Sequence, residues 1–397
     1  MMLRTLTARS IILHSGRILD GGALLLSAEG KIVEVVERKA SVSRRSSGEF
    51  IDLGEGVLAP GWVNAHAHLE LSSLRGRVAA GESFPSWIKA LLRERTLLEG
   101  SDYEYAVHEG ADELLRSGTT TVGDVDSTGA SVVALKSHPI RSLLFREALD
   151  VNDPARREAV LGELKAPIES GARMMEGVSP HAGYTVSDPL MEGLAELAFQ
   201  RDLPVQVHWN ESSDERSWEG GQPSAFDGVV PPCGAKETLQ RLDEAGLLRA
   251  KTSLVHGNYF TAQQATLIAS RGVSIVHCPG AHAFFGRSQF DLDGYQRAGV
   301  SVALGTDSLA GNSALDMGEE VALLRDSHPG LSPGAAFQMA TESSATALGL
   351  SGKVGTLAEG AFADMVLYEA EGDALERLTS REAVVRRVWV GGLETSL

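Results

Sequence analysis

Short apolar runs alternate with longer segments of helical periodicity along most of this chain. The first run follows the chain break at Pro60-Gly61, and further runs of β-strand length lie at 119–125, 140–146, 174–178, 204–208, 252–256, 273–277 and 300–305. Between them, apolar positions recur at helical spacing. This spacing predicts helices at 87–95, 103–117, from 154 onward, and at 188–200, 261–270, 316–326 and 332–348. The pattern therefore indicates strands that alternate with helices.

Eight strands that alternate with helices are typical of a (β/α)8 TIM barrel. The alternative is a doubly wound open sheet. No glycine-rich phosphate loop follows the first strand, and this weakens the alternative. We therefore predict an α/β protein whose catalytic barrel occupies residues 59–352.

Both ends of the chain instead show the short apolar runs that are typical of β-strands. Before the barrel, apolar runs lie at 11–13, 23–27 and 31–36, and we interpret Asp20-Gly21-Gly22 and Ala28-Glu29-Gly30 as hairpin turns. A polar loop is predicted at 38–49. After the barrel, runs at 353–357, 364–368 and 384–390 are separated by glycine turns. We predict that residues 1–58 and 353–397 pair into one small β-sandwich domain.

Composition and charge narrow the classes of function. The 397 residues are 43% hydrophobic and 22% charged, and the formal net charge is −17. Nucleic-acid binding needs clustered Lys and Arg, so we expect no nucleic acid as a partner. No apolar run is long enough for a membrane-spanning helix, which needs about 20 residues. The two cysteines, Cys233 and Cys278, form no disulfide framework and fit a reducing cytoplasm. We expect a small-molecule substrate, and a homodimer is left open.

Polar residues at the predicted strand ends carry the chemistry. The catalytic groups of a (β/α)8 barrel lie at the C-terminal ends of its strands. Histidine or aspartate recurs at those ends, as His66, His68, His181, His208, His256, His277 and Asp307. Because side chains alternate along a strand, we expect Asn64, His66 and His68 on one face. Each histidine alone would more often be structural, but together they predict a metal site.

A set of three imidazoles and a carboxylate suits Zn²⁺, with Fe²⁺ as the competing ion. Glu211 lies three residues after His208. From there a carboxylate can reach over the metal without binding it, which is the position of a general acid and base for an activated water. The alternative for Glu211 is a solvated loop carboxylate.

Several stretches also match a known family. They are Pro-Gly-Trp-Val-Asn-Ala-His66-Ala-His68, Ser179-Pro-His181-Ala-Gly-Tyr-Thr, His208-Trp-Asn-Glu211, Leu254-Val-His256-Gly, His277-Cys-Pro-Gly, Leu304-Gly-Thr-Asp307-Ser and the closing Lys353-Val-Gly-Thr-Leu-Ala-Glu-Gly-Ala-Phe-Ala-Asp364. Together they resemble the amidohydrolase superfamily, and within it the mononuclear-metal deaminase and chlorohydrolase branch. That branch includes adenosine-type enzymes such as S-adenosylhomocysteine and aminofutalosine deaminases.

The resemblance implies a role for each matching residue. His66, His68, His208 and Asp307 would bind the metal, and Glu211 and His256 would act in catalysis, with Asp307 also serving as a base. Pro180-His181 stands where the binuclear branches carry a carboxylated lysine, so a single ion is implied. His181 is similar to a substrate-contacting histidine of adenosine-type deaminases.

We therefore predict a metal-dependent aminohydrolase, which is a hydrolase of carbon–nitrogen bonds other than peptide bonds. Its substrate would be a heteroaromatic ring, in particular a purine nucleoside such as aminofutalosine or an adenosine derivative. The alternative keeps the same site and cleaves another carbon–nitrogen bond of a cyclic substrate, or a carbon–halogen bond. A purely structural metal site would need neither Glu211 nor His256, and a fourth protein ligand counts against an Fe(II) oxygenase.

Two further residues are candidates for substrate binding, and for each of them a purely structural role is the alternative. Arg146 would bind an anionic group or form a surface salt bridge. Trp87 would stack on the substrate or pack in the core. The long segment 209–236 is a candidate lid over the barrel mouth.

Overall fold

The computed structural model describes residues 3–37, 48–169 and 171–396. Its strands are β1 (Arg4–Thr7), β2 (Ser10–His14), β3 (Arg17–Asp20), β4 (Ala23–Leu26), β5 (Ile32–Val36), β6 (Glu49–Asp52), β7 (Val57–Pro60), β8 (Trp62–Ala67), β9 (Thr119–Asp126), β10 (Arg141–Ala148), β11 (Met174–Pro180), β12 (Val205–Trp209), β13 (Thr252–His256), β14 (Ser274–His277), β15 (Val302–Leu304), β16 (Met365–Glu369), β17 (Val384–Val390) and β18 (Leu393–Thr395). The loop predicted at 38–49 lies outside the described residues except for its last two positions.

The helices over the same ranges are α1 (Phe84–Arg95), α2 (Gly100–Arg116), α3 (Ala130–Leu135), α4 (Pro154–Lys165), α5 (Asp188–Gln200), α6 (Ser213–Glu219), α7 (Thr238–Glu244), α8 (Ala262–Ser270), α9 (Pro279–Phe284), α10 (Leu292–Ala298), α11 (Met317–Ser327), α12 (Pro333–Met339), α13 (Glu342–Ala347) and α14 (Ala374–Leu378), with a 3₁₀ helix at Leu69–Leu74. In the part of the chain that the structure describes, none of the helices has both the length and the apolar character to cross a membrane.

Eight parallel strands, β8 to β15, lie side by side in sequence order. The ring closes between its last and first strands. There the Thr306 N–H donates a hydrogen bond to the His66 carbonyl at 3.0 Å, and Ala67 forms a parallel β-bridge with Asp307. Helices follow the strands and cover the outside of the sheet. The predicted (β/α)8 barrel is therefore confirmed.

The inside of the barrel is packed with small and branched side chains, which include Ala65, Val255, Val276 and Ala303. On β13 the neighbouring Leu254 instead packs in the outer layer, among residues of the covering helices. This alternation follows from the strand geometry, which points successive side chains to opposite faces. The polar groups of the site lie at the C-terminal end of this apolar interior.

The two chain ends form a β-sandwich, as predicted. One sheet has the strand order β5-β4-β1-β6, and the other has the order β18-β17-β16-β7-β2-β3. In the second sheet, β7 pairs in parallel with β2 and antiparallel with β16, so both chain ends contribute to it. The core between the sheets includes Leu6, Ile11, Leu24, Leu58, Met365 and Trp389. The domain boundaries at residues 58 and 353 stay predictions.

Three local predictions are wrong. Residues 353–357 form turns instead of a strand, with Gly355 at φ +70°. The turn at 20–22 does not close a hairpin, because β3 and β4 belong to different sheets; the turn at 28–30 does, since β4 and β5 pair antiparallel. The helix predicted at 332–348 is divided into α12 and α13 at Thr341, whose φ of −129° and ψ of −87° are not helical.

A buried ion pair joins the barrel to the sandwich. The Arg141 guanidinium donates through Nε to Asp364 Oδ2 at 2.7 Å and through Nη2 to Oδ1 at 3.1 Å. The same guanidinium lies 3.8 Å from the centre of the Phe362 ring. Asp364 Oδ1 also accepts a hydrogen bond from the Gly391 N–H at 2.6 Å. The carboxylate therefore connects β10 of the barrel to the turn between β17 and β18.

Candidate metal and catalytic centre

His66 has one ring nitrogen bound and the other free. Its Nδ1 lies 2.7 Å from Gln206 Oε1. The Gln206 amide nitrogen already donates to Ala65 O and Ser253 Oγ at 3.0 and 3.1 Å, so its oxygen must accept from Nδ1–H. The neutral ring then carries a lone pair on Nε2, which is buried with no hydrogen-bond partner among the described residues. This is the tautomer that binds a metal ion.

His208, at the end of β12, is held in the same way. Its Nδ1 donates to the carbonyl oxygen of His181 at 2.9 Å. The unprotonated Nε2 lies 3.3 Å from Nε2 of His68. The lone pair on His208 Nε2 can accept a proton from His68 or bind a cation that both rings share.

These three imidazoles converge with a carboxylate. The ligand atoms of His66, His68 and His208 lie within 4.8 Å of one another. Asp307 Oδ1 lies 3.8 Å from His66 Nε2 and 3.9 Å from His68 Nε2. Burial, followed by the neighbouring His208, lowers the pKa of His66 to about 3, and burial also lowers the pKa values of the other two rings. Neutral imidazoles around a carboxylate are a donor set that fits a divalent ion such as zinc.

The backbone turns two strand-end residues towards this centre. His256 ends β13 with φ +71°, and Asp307 follows β15 with φ +60°. On β13 the alternation of Leu254 outward and Val255 inward would send the next side chain outward. The left-handed conformation instead brings His256 Nε2 to 3.9 Å from Asp307 Oδ2. Such strained conformations are concentrated at functional sites.

Glu211 lies next to this group. Its Oε2 is 3.5 Å from His256 Nε2, and its Oε1 accepts a hydrogen bond from Arg287 Nη2 at 2.8 Å. The main-chain N–H of Glu211 donates to Glu215 Oε2 at 2.8 Å, and its carbonyl accepts from the Asn258 side chain at 2.8 Å. Glu211 is therefore buried, with hydrogen bonds to its main chain and to one carboxylate oxygen, so the alternative of a solvated loop carboxylate is wrong.

His181 borders the centre on the β11 side. Thr185 Oγ1 donates to Ala182 O at 3.1 Å, so it accepts from His181 Nδ1–H at 2.7 Å and leaves Nε2 free. A ligand oxygen of Glu147 lies within 4.8 Å of ligand nitrogens of His181 and His208. Burial raises the pKa of Glu147 to about 7 and lowers that of His181 to about 4.

Two predicted site residues point away from the centre. The Arg146 guanidinium donates to Glu176 and to the carbonyl oxygens of Glu163 and Ala166 on and after α4. It lies on the outer face of β10, so the prediction that it binds substrate is wrong. The His277 ring stacks on Phe290 with ring centres 4.0 Å apart, in the helix layer, and likewise takes no part in the centre.

Trp87 packs in an aromatic cluster. Its ring stacks on Phe84 at 5.6 Å and meets the edge of Phe285 at 5.1 Å. The segment 209–236 adds Trp218 and Phe226 to the same cluster. The packing alternative for Trp87 is confirmed, whereas its contact with substrate and the movement of the segment stay predictions.

For several residues of the site, the sequence gives little or no indication that they belong to it. Gln206 precedes His208 by two positions and so shares its strand face, which is a signal that alternation provides. Glu147 follows Arg146 and takes the opposite, inner face for the same reason. Arg287 lies in the irregular chain after α9, where no periodicity predicts a direction. Asn64 was expected beside the two histidines but instead donates to Thr306 Oγ1 at 2.7 Å, on the neighbouring strand.

Comparison with known proteins agrees with this geometry. The sequence matches the amidohydrolase family over residues 57–394, and the chain belongs to that family. It is 29% identical over 389 residues to the 5-methylthioadenosine/S-adenosylhomocysteine deaminase of Thermococcus sibiricus, a match that covers 94% of this chain and 88% of the relative. It is 30% identical over 298 residues to the aminodeoxyfutalosine deaminase of Deinococcus radiodurans, covering 70% of each.

A zinc-bound solved structure is also similar. It is an adenosine deaminase from Xanthomonas campestris, with a TM-score of 0.83 and 26% identity over 98% of this chain and 92% of that one. The resemblance predicted from the sequence is therefore confirmed at the level of the family. The relatives named here are deaminases, which hydrolyse carbon–nitrogen bonds.

Proposed function

We propose that this protein is a metal-dependent aminohydrolase that deaminates the purine ring of an adenosine-type nucleoside. The observation that carries the proposal is the placement of Glu211. Its carboxylate lies 3.5 Å from His256 Nε2, and that nitrogen lies 3.9 Å from Asp307 Oδ2, beside the three converging imidazoles. A binding site for metal alone would not need this additional acid and base pair.

We propose that one Zn²⁺ is held by His66, His68, His208 and Asp307, with Fe²⁺ as the competing ion. The zinc-bound relative, the unpartnered Nε2 of His66 and the convergence of the three rings support this set. When bound, such an ion polarises a water molecule and lowers its pKa towards about 7. The pair of neutral tautomers fixed by Gln206 and the His181 carbonyl keeps the ligand lone pairs directed inward.

The protein side chains then move the protons of the reaction. Glu211 accepts a proton from the attacking water and delivers it to the ring nitrogen next to the carbon that bears the amine. His256 donates a hydrogen bond to the incoming oxygen as negative charge develops on it. Asp307 accepts the remaining proton and transfers it to the departing amine, which leaves as ammonia.

Substrate recognition is assigned to the side of the centre formed by β10 and β11. His181 presents a free Nε2 there because Thr185 holds its Nδ1. The relatives act on methylthioadenosine, S-adenosylhomocysteine and aminodeoxyfutalosine according to their names, and these nucleosides differ in the group attached to the sugar. We therefore propose an adenosine derivative or an aminofutalosine as substrate. A cytoplasmic location and a homodimer stay predictions.

An ammonia-release assay tests the proposal. Purified protein is incubated with 5-methylthioadenosine, S-adenosylhomocysteine, 5′-deoxyadenosine and aminodeoxyfutalosine, and elemental analysis measures bound metal. We expect ammonia from at least one nucleoside and about one divalent ion per chain. Glu211→Gln is the matched control for background ammonia. Release of chloride or ring-opened product from triazines and cyclic amides, with no ammonia from any nucleoside, would favour the alternative activity instead.

A further inference from the structure

Arg287 is a buried cation at the catalytic centre whose role neither the sequence nor the proposed reaction assigns. It lies just beyond α9, and its Nη2 donates to Glu211 Oε1 at 2.8 Å. The two side chains are only 6% and 8% exposed. A charge-assisted hydrogen bond in such a place is stronger than one in water.

Among the described residues, Glu211 is the one hydrogen-bond acceptor seen for this guanidinium. Its flat face lies 4.4 Å from the ring centre of Phe285 and 5.8 Å from that of Phe84. Its Nη1 is buried with no hydrogen-bond partner in the same ranges. Aromatic faces attract a cation but do not fix its rotation about the ring normal. Glu211 is therefore the one carboxylate that Arg287 is placed to hold.

The rotation of the Glu211 carboxylate depends on this contact. Glu215 and Asn258 fix the main chain of Glu211 but do not touch its carboxylate. Of the two carboxylate oxygens, Oε1 is held by Arg287, and Oε2 lies 3.5 Å from His256 Nε2 and faces the centre. Without Arg287, Oε1 would lose its hydrogen-bond donor.

We infer that Arg287 is a positioning residue for Glu211. By binding Oε1 it directs Oε2 at the water and the substrate ring. This inference rests on the proposed function for its kinetic consequence, but the placement of the Glu211 carboxylate does not depend on any substrate.

The kinetic test compares Arg287→Gln with Arg287→Lys. For Arg287→Gln we expect kcat to fall by about 10²-fold, the lower range of general acid–base catalysis, while KM and the zinc content stay within about threefold of wild type. Arg287→Lys keeps the positive charge and should recover about tenfold of that loss. The matched control is Arg271→Gln, which removes an exposed arginine paired with Asp243 and should leave kcat unchanged.

Crystal structures of the zinc-loaded variants supply the readout that needs no substrate. In Arg287→Gln the Glu211 carboxylate should leave its place beside His256, and in Arg287→Lys it should stay. An unmoved carboxylate in Arg287→Gln overturns the inference, as does a raised KM with unchanged kcat, which would make Arg287 a substrate-binding residue. If wild type releases no ammonia from any nucleoside, the proposed function fails and the crystal structures still decide the role of Arg287. If Arg287→Gln does not fold, Arg287→Lys is judged instead: a carboxylate in place with kcat about tenfold below wild type supports the inference, and an unchanged kcat or a raised KM overturns it.

Discussion

Which ring nitrogen of His66 and of His208 is free depends on the acceptor that binds the other ring nitrogen. Gln206 Oε1 holds the proton of His66 on Nδ1, and the His181 carbonyl does the same for His208. A spacing of two residues in the sequence identifies paired histidines, but it does not say which nitrogen of each ring is free. That information comes from Gln206 on β12 and from His181 just after β11.

Gln206→Leu should weaken metal binding without changing a ligand. The leucine fills a similar volume, but His66 loses the acceptor that fixes its tautomer and ring orientation. Removal of such a partner typically lowers metal affinity by about 10–100-fold. Competition with a zinc chelator measures the affinity. Gln240→Leu, at an exposed position of α7, is the matched control, and equal affinities for Gln206→Leu and wild type would contradict the argument.

Glu211→Gln should abolish turnover while the metal stays bound. The amide has nearly the same shape but cannot carry a proton, and general acid–base catalysis contributes about 10²–10⁴-fold. His208→Ala should lower both the metal content and the rate, because it removes a ligand. Both quantities are measured for both variants on a substrate found by ammonia release. A Glu211→Gln enzyme with more than about a tenth of the wild-type rate would remove Glu211 from the mechanism.

The side chains that converge at the candidate centre could be predicted from the sequence, but not all of their surroundings. Histidines at strand ends were found because strand ends are recognisable from apolar runs. The prediction that Arg146 binds substrate was wrong because its direction depends on the register of β10, which points Glu147 inward instead. Arg287 had no signal, since it lies in irregular chain and reaches Glu211 across 76 residues of sequence.

At the scale of the elements, the barrel strands were predicted well and the turns less well. Buried strands of a parallel sheet are continuous apolar runs, and chain-breaking residues at their ends mark where they begin and end. Residues 353–357 have the same local composition, but Val354 and Leu357 are buried by turns that pack on the barrel and the sandwich. Burial explains their apolar side chains, so periodicity alone could not identify a strand there.

Helix α11 carries a buried carboxyl group whose protonation should affect stability. Glu320 accepts hydrogen bonds from the Gly280 N–H and the Asn312 side chain, both at 2.7 Å. Burial is the main cause that raises the pKa of Glu320 from 4.5 to about 8. Because the folded pKa exceeds the unfolded one, the stability from this group is complete below about pH 4.5 and is lost as the pH rises to about 8.

Glu320→Gln should reveal that loss as a pH-dependent difference from wild type. The amide does not titrate, so the free energy of unfolding of wild type relative to the variant should fall between pH 5 and 8, by about 1.4 kcal/mol for each unit of pKa shift. Urea unfolding at a series of pH values measures the difference. Glu192→Gln, exposed on α5, is the matched control. If the free energy of unfolding of wild type relative to the variant rose with pH, the result would contradict this prediction.

At the scale of the whole molecule, a buried ion pair joins the barrel and the sandwich, in addition to more exposed pairs such as Arg381 with Glu319. Arg141 and Asp364 are buried, with 4% and 0% of their side chains exposed, and they pair across the junction. A buried ion pair is weak evidence for stability by itself, but removing one partner leaves the other charge buried and alone.

Arg141→Met should therefore lower the free energy of unfolding by about 3–5 kcal/mol. The double variant Arg141→Met/Asp364→Leu should recover much of this loss, since it leaves no unpaired charge. Urea unfolding of the three proteins is the measurement. Arg17→Met, from an exposed pair with Glu37, should change stability by less than about 1 kcal/mol. A single variant as stable as wild type would show that the junction does not depend on this pair.

The strand order of the second sandwich sheet has a consequence for synthesis on the ribosome. β7 lies between β2 and β16, and the whole barrel separates β7 from β16 along the chain. During translation, β7 therefore emerges long before the strand that covers its second edge. An unpaired strand edge invites pairing with other chains, so a nascent chain stopped within the barrel carries an open edge that a finished chain does not. Completion of the sheet thus distinguishes full translation products from interrupted ones.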